Sequence, residues 1–214
     1  MSRLLAAILV SAAIFTPLSA QAFGLGDVPG MGAKSDNAGS TDLSGAQDQL
    51  VKQYVSAAQS VLEGDAKMAD ALGLTTNAAS NRAASATLTE GATKGALSDA
   101  NKTASENSNA TAEALKHTEN MDAPAKAKFA AGISSLAQGL VKYVGMKSSF
   151  DSFASGLSSA SPMMLPKLQS GAYIVSSLPS NLKTLSSSLK NALAYAKAHD
   201  IKVPKTDADV LSKL

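Results

Sequence analysis

The chain has 214 residues, with 19 Lys and Arg against 17 Asp and Glu, no cysteine, no tryptophan and only 4% aromatic residues. So even a charge balance argues against a nucleic-acid partner, and the lack of thiols excludes disulfides, thiolate chemistry and cysteine-held metals. Scarce aromatics argue against stacking platforms for bases or sugars.

Residues 1–22 read as a cleaved secretory signal peptide. Arg3 gives the charged start, residues 4–15 are an unbroken run of apolar and small side chains, and Pro17 breaks that run. Ala20-Gln21-Ala22 then supplies the small-x-small pattern that a signal peptidase reads, with cleavage after Ala22. The apolar run falls well short of the roughly twenty residues that a membrane-spanning helix needs. The best later candidate, residues 129–146, carries Lys142 and several serines on a helical period. Export from a bacterial cell, into the periplasm or beyond, is the expected localisation. Cleavage leaves 192 residues with 18 basic against 17 acidic side chains, enough for one domain with a real core.

Residues 23–41 form a Gly-rich stretch containing Gly24, Gly26, Gly30, Gly32 and Gly39 together with Pro29, which predicts a flexible arm. Its Gly-x-Gly follows no predicted strand, so the context of a phosphate-binding turn is missing. Residues 42–214 are expected to form a single helical domain. Leu43, Ala46, Leu50, Tyr54, Ala57, Val61, Met68 and Leu72 recur close to every 3.6 residues, on one helical face. Thr41 or Asp42 can cap the start of that helix and Gly73 can end it.

Residues 77–119 hold few large apolar side chains, namely Leu88, Leu97 and Leu115, beside many alanines. One long, small-faced helix interrupted near Gly91 and Gly95 is expected, or two helices with a polar loop between them. Asp122 followed by Pro124 marks the next helix start. Phe129, Ile133, Leu136, Leu140, Tyr143, Val144, Phe150 and Leu157 make the strongest apolar stripe in the chain. Ser161-Pro162 closes that helix and opens the next, which ends at Pro179; Ser180 or Asn181 then starts a last amphipathic helix through Leu182, Leu185, Leu189, Leu193 and Ala196. Thr206 is expected to cap a short terminal turn. Together these elements predict an all-α fold, an elongated antiparallel four-helix bundle with the last helix broken at Pro179.

The only histidines, His117 and His199, fall near predicted helix C-termini, where an imidazolium complements exposed carbonyls. Neither lies in a metal-binding spacing, and no Gly-x-Ser-x-Gly elbow is present. Glu63, Asp65 and Asp70, like Glu113 and Glu119, read as solvated helix faces rather than as paired catalytic carboxylates. Asp207 and Asp209 suit the positive end of a terminal helix. No catalytic, cofactor-binding or metal site is expected. An apolar contact surface is expected around Phe150, Phe153, Met163 and Met164.

The leucine-spaced helix from Leu182 onward, followed by His199-Asp200-Ile201-Lys202-Val203-Pro204, resembles the ending of exported all-helical bacterial envelope proteins of unknown function. That resemblance covers the C-terminal quarter and implies an envelope protein without assigning any residue a role. The expected function is non-enzymatic binding of a protein or envelope component, with lipid or membrane interaction through amphipathic helices as the alternative.

Overall fold

The computed structural model describes residues 42–213, so the expected signal peptide (1–22) and Gly-rich arm (23–41) lie outside the described residues. Within them the chain is helical, with no strand: α1 (Leu43–Ala71), α2 (Thr75–Thr87), α3 (Lys94–His117), α4 (Ala123–Gly145), α5 (Lys147–Ser158), α6 (Gln169–Ala198) and the short α7 (Lys205–Asp209). At 1.5 Å per residue, α1 and α6 are each about 45 Å long.

The start signals act locally as expected. The Asp42 carboxylate accepts from the Gly45 amide at 3.1 Å, and the Asp122 carboxylate from the Ala125 amide at 2.8 Å, with proline in the first turn of α4. Each satisfies an amide that has no partner inside its own helix. α1 ends at Ala71, and Gly73 follows at φ +74°, a left-handed conformation in which a β-carbon would be strained. Thr206 does not cap: α7 already begins at Lys205, behind Pro204, and has no side-chain cap.

Between residues 77 and 119 two helices form rather than one. The break at residues 88–93 is not simply polar, because Leu88 and Ala92 are buried in it. The Leu88 carbonyl accepts from Gln59 Nε2 at 3.0 Å, and Thr93 caps the new helix through the Ala96 amide. The turn therefore belongs to the core, and it reverses the chain. The helix expected to run on from Asp122 is likewise divided, at the buried Met146, although Phe150 N still donates to Met146 O at 2.9 Å. After Ser161 the chain makes turns and a single 3₁₀ turn (Leu165–Lys167) before α6 begins.

These reversals give a different topology from the antiparallel four-helix expectation. Tyr54 on α1 meets Asn101 on α3 and Asn181 on α6, while further along Asp65 meets Ser108 and Thr111 of α3 and Ser188 of α6. Helices α1, α3 and α6 thus run the same way. α4 runs against α1, pairing Gly132 with Gly64 and Gly139 with Val61, and α5 continues that path to put Gly156 on Leu43.

The expected break at Pro179 is also absent, since α6 is one helix through that residue. Its cause is tertiary. Tyr173, before the proline, accepts from Asn101 Nδ2 at 2.8 Å; Asn181, after it, donates to Tyr54 OH at 3.1 Å; and Tyr54 OH itself donates to Asn101 Oδ1 at 2.8 Å. One network therefore holds both sides of the proline, and Ile174, Leu178, Leu185 and Leu189 keep a single buried stripe across it. Asn181 serves that network rather than a helix start, and Ser180 donates to the carbonyl of Ser177 within α6.

The tightest packing lies between α1 and α4. A β-carbon on Gly64 would stand 2.7 Å from Leu136 N and 2.8 Å from Gly132 O, and one on Gly132 would stand 2.8 Å from Gly64 O. Backbone meets backbone there. Around the contact Phe129, Ile133, Leu136 and Leu140 are fully buried, each contributing about 1.5–3 kcal/mol of apolar burial.

Three substitutions test this packing. Gly132→Ala is expected to lower unfolding free energy in a urea titration by about 2 kcal/mol, because backbone atoms must move apart. Gly91→Ala, where nothing lies within 4 Å, should change it by less than about 1 kcal/mol. Pro179→Ala should instead raise stability by about 2 kcal/mol: the roughly 3 kcal/mol penalty of proline inside a helix is relieved, less up to about 1 kcal/mol of lost chain stiffness.

Candidate functional site

The four residues expected to form an apolar contact surface do not share one face. Phe153 is fully buried, its ring lying against Gly171 so closely that a β-carbon there would fall 2.4 Å from it. Met164 is half-buried against the core, whereas Met163 stands 86% exposed in the turns between α5 and α6, with the half-exposed Leu165 nearby in sequence. Phe150, half-buried, is the one of the four that lines a groove.

That groove has a volume of about 280 Å³ and lies where α4 passes into α5 alongside α6. Val144, Phe150, Leu178, Pro179 and Leu182 form apolar walls and the buried Tyr143 lies beneath them. Lys147 and Asp151 also border it, paired at 2.7 Å across one helical turn. The proline contributes directly to the site: its ring is part of the wall, and its missing amide proton leaves the Val175 carbonyl without the usual partner four residues on. A mostly apolar concavity with a few charged groups at its edge is the usual character of a small-ligand or side-chain pocket.

A second feature runs along the seam between α1, α3 and α6. Tyr54, Asn101, Tyr173 and Asn181 form the network described above beside a cavity of about 40 Å³. Burial raises the Tyr54 hydroxyl above its ordinary pKa, with its hydrogen bonds to Asn101, Tyr143 and Asn181 offsetting part of the effect. Burial also pushes the Tyr143 hydroxyl well up. Both phenols therefore stay protonated at neutral pH and act as hydrogen-bonding groups, not as bases.

Further along the same seam Asp65 is 1% exposed, and neither carboxylate oxygen has a hydrogen-bond partner among the described residues. Burial alone pushes its pKa up to about 8. Asp65 is thus not on the solvated face expected for it, although Glu63 is exposed and paired with Lys67. A signal was present in the sequence: the apolar stripe of α1 steps from Val61 to Met68, and the turn it skips is Gly64-Asp65. Gly64 faces α4 and Asp65, about 100° further round, faces α3 and α6.

Among the described residues each histidine is engaged with a side chain one helical turn before it. His117 pairs with Glu113 at 3.2 Å on an exposed turn, where Lys116 and His117 hold the Glu113 carboxyl below its usual range. His199 stacks on Tyr195 with ring centres 4.1 Å apart. Both histidines stand at helix C-termini, as expected. Asp207 accepts from Ser134 on α4 and lies in the first turn of α7. Among the described residues no group of three or more histidines and carboxylates is placed to hold a metal, and no helix is long and apolar enough to cross a membrane.

The raised Asp65 pKa sets a direction for stability against pH. Folded protein binds this proton more tightly than unfolded chain, so stability should fall as pH rises from about 4 to about 8, and level off above. Urea titrations at several pH values, in a buffer whose only cations are organic, should show the contribution of this group as a slope of up to about 1.4 kcal/mol per pH unit. Asp65→Asn should remove that slope and be more stable than the parent at pH 9.

No protein-family model, curated protein or solved structure matches the chain, so its function has to be read from these two features.

Proposed function

We propose that this is a non-enzymatic, exported helical binding protein, periplasmic or secreted, that takes an apolar group of a protein or other envelope component into the groove between α4, α5 and α6. The groove carries the reading: about 280 Å³ walled by Val144, Phe150, Leu178, Pro179 and Leu182, with a charged pair at its edge. That volume suits a single large side chain or a short stretch of acyl chain, just below the usual range for drug-sized ligands. The signal-peptide pattern of residues 1–22 supports export.

A second reading, membrane association, is favoured by one observation. Met163 at 86% exposure and Leu165 at 46% stand in the same connection before α6, an arrangement suited to dipping into a lipid surface.

One set of variants separates the two. The purified protein is titrated with a fluorescent apolar probe and, separately, floated with vesicles of phosphatidylethanolamine and phosphatidylglycerol. Groove binding predicts probe affinity that drops about tenfold in Leu182→Glu and is unchanged in Met163→Glu, the loss of a buried apolar contact being worth about 1.4 kcal/mol or more. Equal affinity in parent and Leu182→Glu would refute the groove. Flotation that Met163→Glu abolishes would establish the membrane reading instead.

A further inference from the structure

Three side chains on two helices share an unusual condition. Asp65 on α1 and Ser108 and Thr111 on α3 are 1%, 5% and 5% exposed, and their carboxylate and hydroxyl oxygens have no hydrogen-bond partner among the described residues. All three line one cavity of about 10 Å³, which Ser188 of α6 helps to close. Hydroxyls placed to serve the carboxylate would donate to it directly; here neither hydroxyl bonds it, and all three side chains border the same gap. The gap is the size of one water-sized sphere.

Charge decides what suits that gap. Asp65 is the only ionisable group lining the cavity; the rest of the lining from α1, α3 and α6 is apolar, hydroxyl or amide. An ionised carboxylate in such surroundings, with no donor, costs several kcal/mol. A single positive charge cancels it, whereas a divalent ion would leave one charge buried and would want six to eight oxygens. Carboxylate and hydroxyl oxygens are hard donors, suited to hard cations. We propose that Asp65, Ser108 and Thr111 form a buried site for one monovalent cation of about the size of sodium. Ser188, half-buried, and Asn191, exposed, put oxygens on the side of the cavity nearest solvent, so the ion enters along the α3–α6 seam. Entry of the cation releases the Asp65 proton, so cation and proton compete for one carboxylate. This site is independent of the apolar groove.

The test is stability and sodium resonance at constant ionic strength. At pH 8.5, replacing choline chloride by sodium chloride should stabilise the protein saturably, lowering the unfolding constant about tenfold at 100 mM if the dissociation constant is about 10 mM. Potassium should act more weakly. The protein should broaden the ²³Na resonance, and lowering the pH to 6 should reduce that broadening as the proton wins. Asp65→Asn, which keeps the shape and removes the charge, should lose both effects; Ser108→Ala/Thr111→Val should shift the sodium dependence to higher concentration. Equal stability in choline and sodium, or an unchanged sodium response in Asp65→Asn, would overturn the proposal and leave a protonated Asp65 bridged by one water. If Asp65→Asn does not fold, the hydroxyl double variant and the ²³Na measurement on the unaltered protein decide alone.

Discussion

The contact of α1 with α4 is the constraint on which the other helices depend. Glycines 64, 132 and 139 let the two backbones touch, with would-be β-carbon distances of 2.6 to 3.1 Å to the facing helix. Such an approach brings many weak dispersion contacts into range at once and excludes water along the seam. It also sets the azimuth of α1. With Gly64 turned to α4, residues Tyr54, Ala58, Leu62 and Asp65 point toward α3 and α6, so the polar seam follows from the glycine contact. Lys142 strengthens the same pairing from outside, donating to Ser56 and Ser60 across the helices at 2.9 to 3.3 Å.

The remaining core is divided unevenly. α1 and α4 bury aliphatic and aromatic side chains, whereas α3 buries Leu97 and Ala100 and then only Asn107, Ser108 and Thr111. Small and polar side chains bury little area, so what fixes α3 is hydrogen bonding: Asn101 to Tyr54 and Tyr173, Asn77 Nδ2 to Asn107 Oδ1, and the Tyr195 hydroxyl to the Thr118 carbonyl. Directional bonds give α3 its register, parallel to α1 and α6, where apolar packing alone would permit sliding.

Much of the helical content was legible because periodicity and caps are local. Asp42 and Asp122 cap as their sequence context implies, and the stripes of α1 and α4 are buried as spaced. What was not legible depended on distant partners. Pro179 sits inside α6 because partners 72 and 127 positions away hold Tyr173 and Asn181 on either side of it, a force that no local rule contains. The small-faced stretch expected in 77–119 is not where backbones touch: the glycines that achieve close approach are on α1 and α4, among large apolar neighbours that masked them. Phe150, Phe153, Met163 and Met164 looked alike as apolar residues; only the position of Gly171 shows that one of them belongs inside. Asp65 was visible as a gap in a stripe, but a gap does not say whether the carboxylate is buried.

The uneven core has a consequence for motion. Segments that bury little apolar surface open at lower free energy than the whole molecule. The α2–α3 hairpin, whose buried set is Leu88, Leu97, three alanines (Ala78, Ala92, Ala100) and a polar remainder, is such a segment. Lifting it would leave the glycine-locked α1–α4 pair intact and would uncover the inner face of α6. Amide protons of α3 should therefore exchange with solvent through a local opening, while those of α1 and α4 wait for global unfolding.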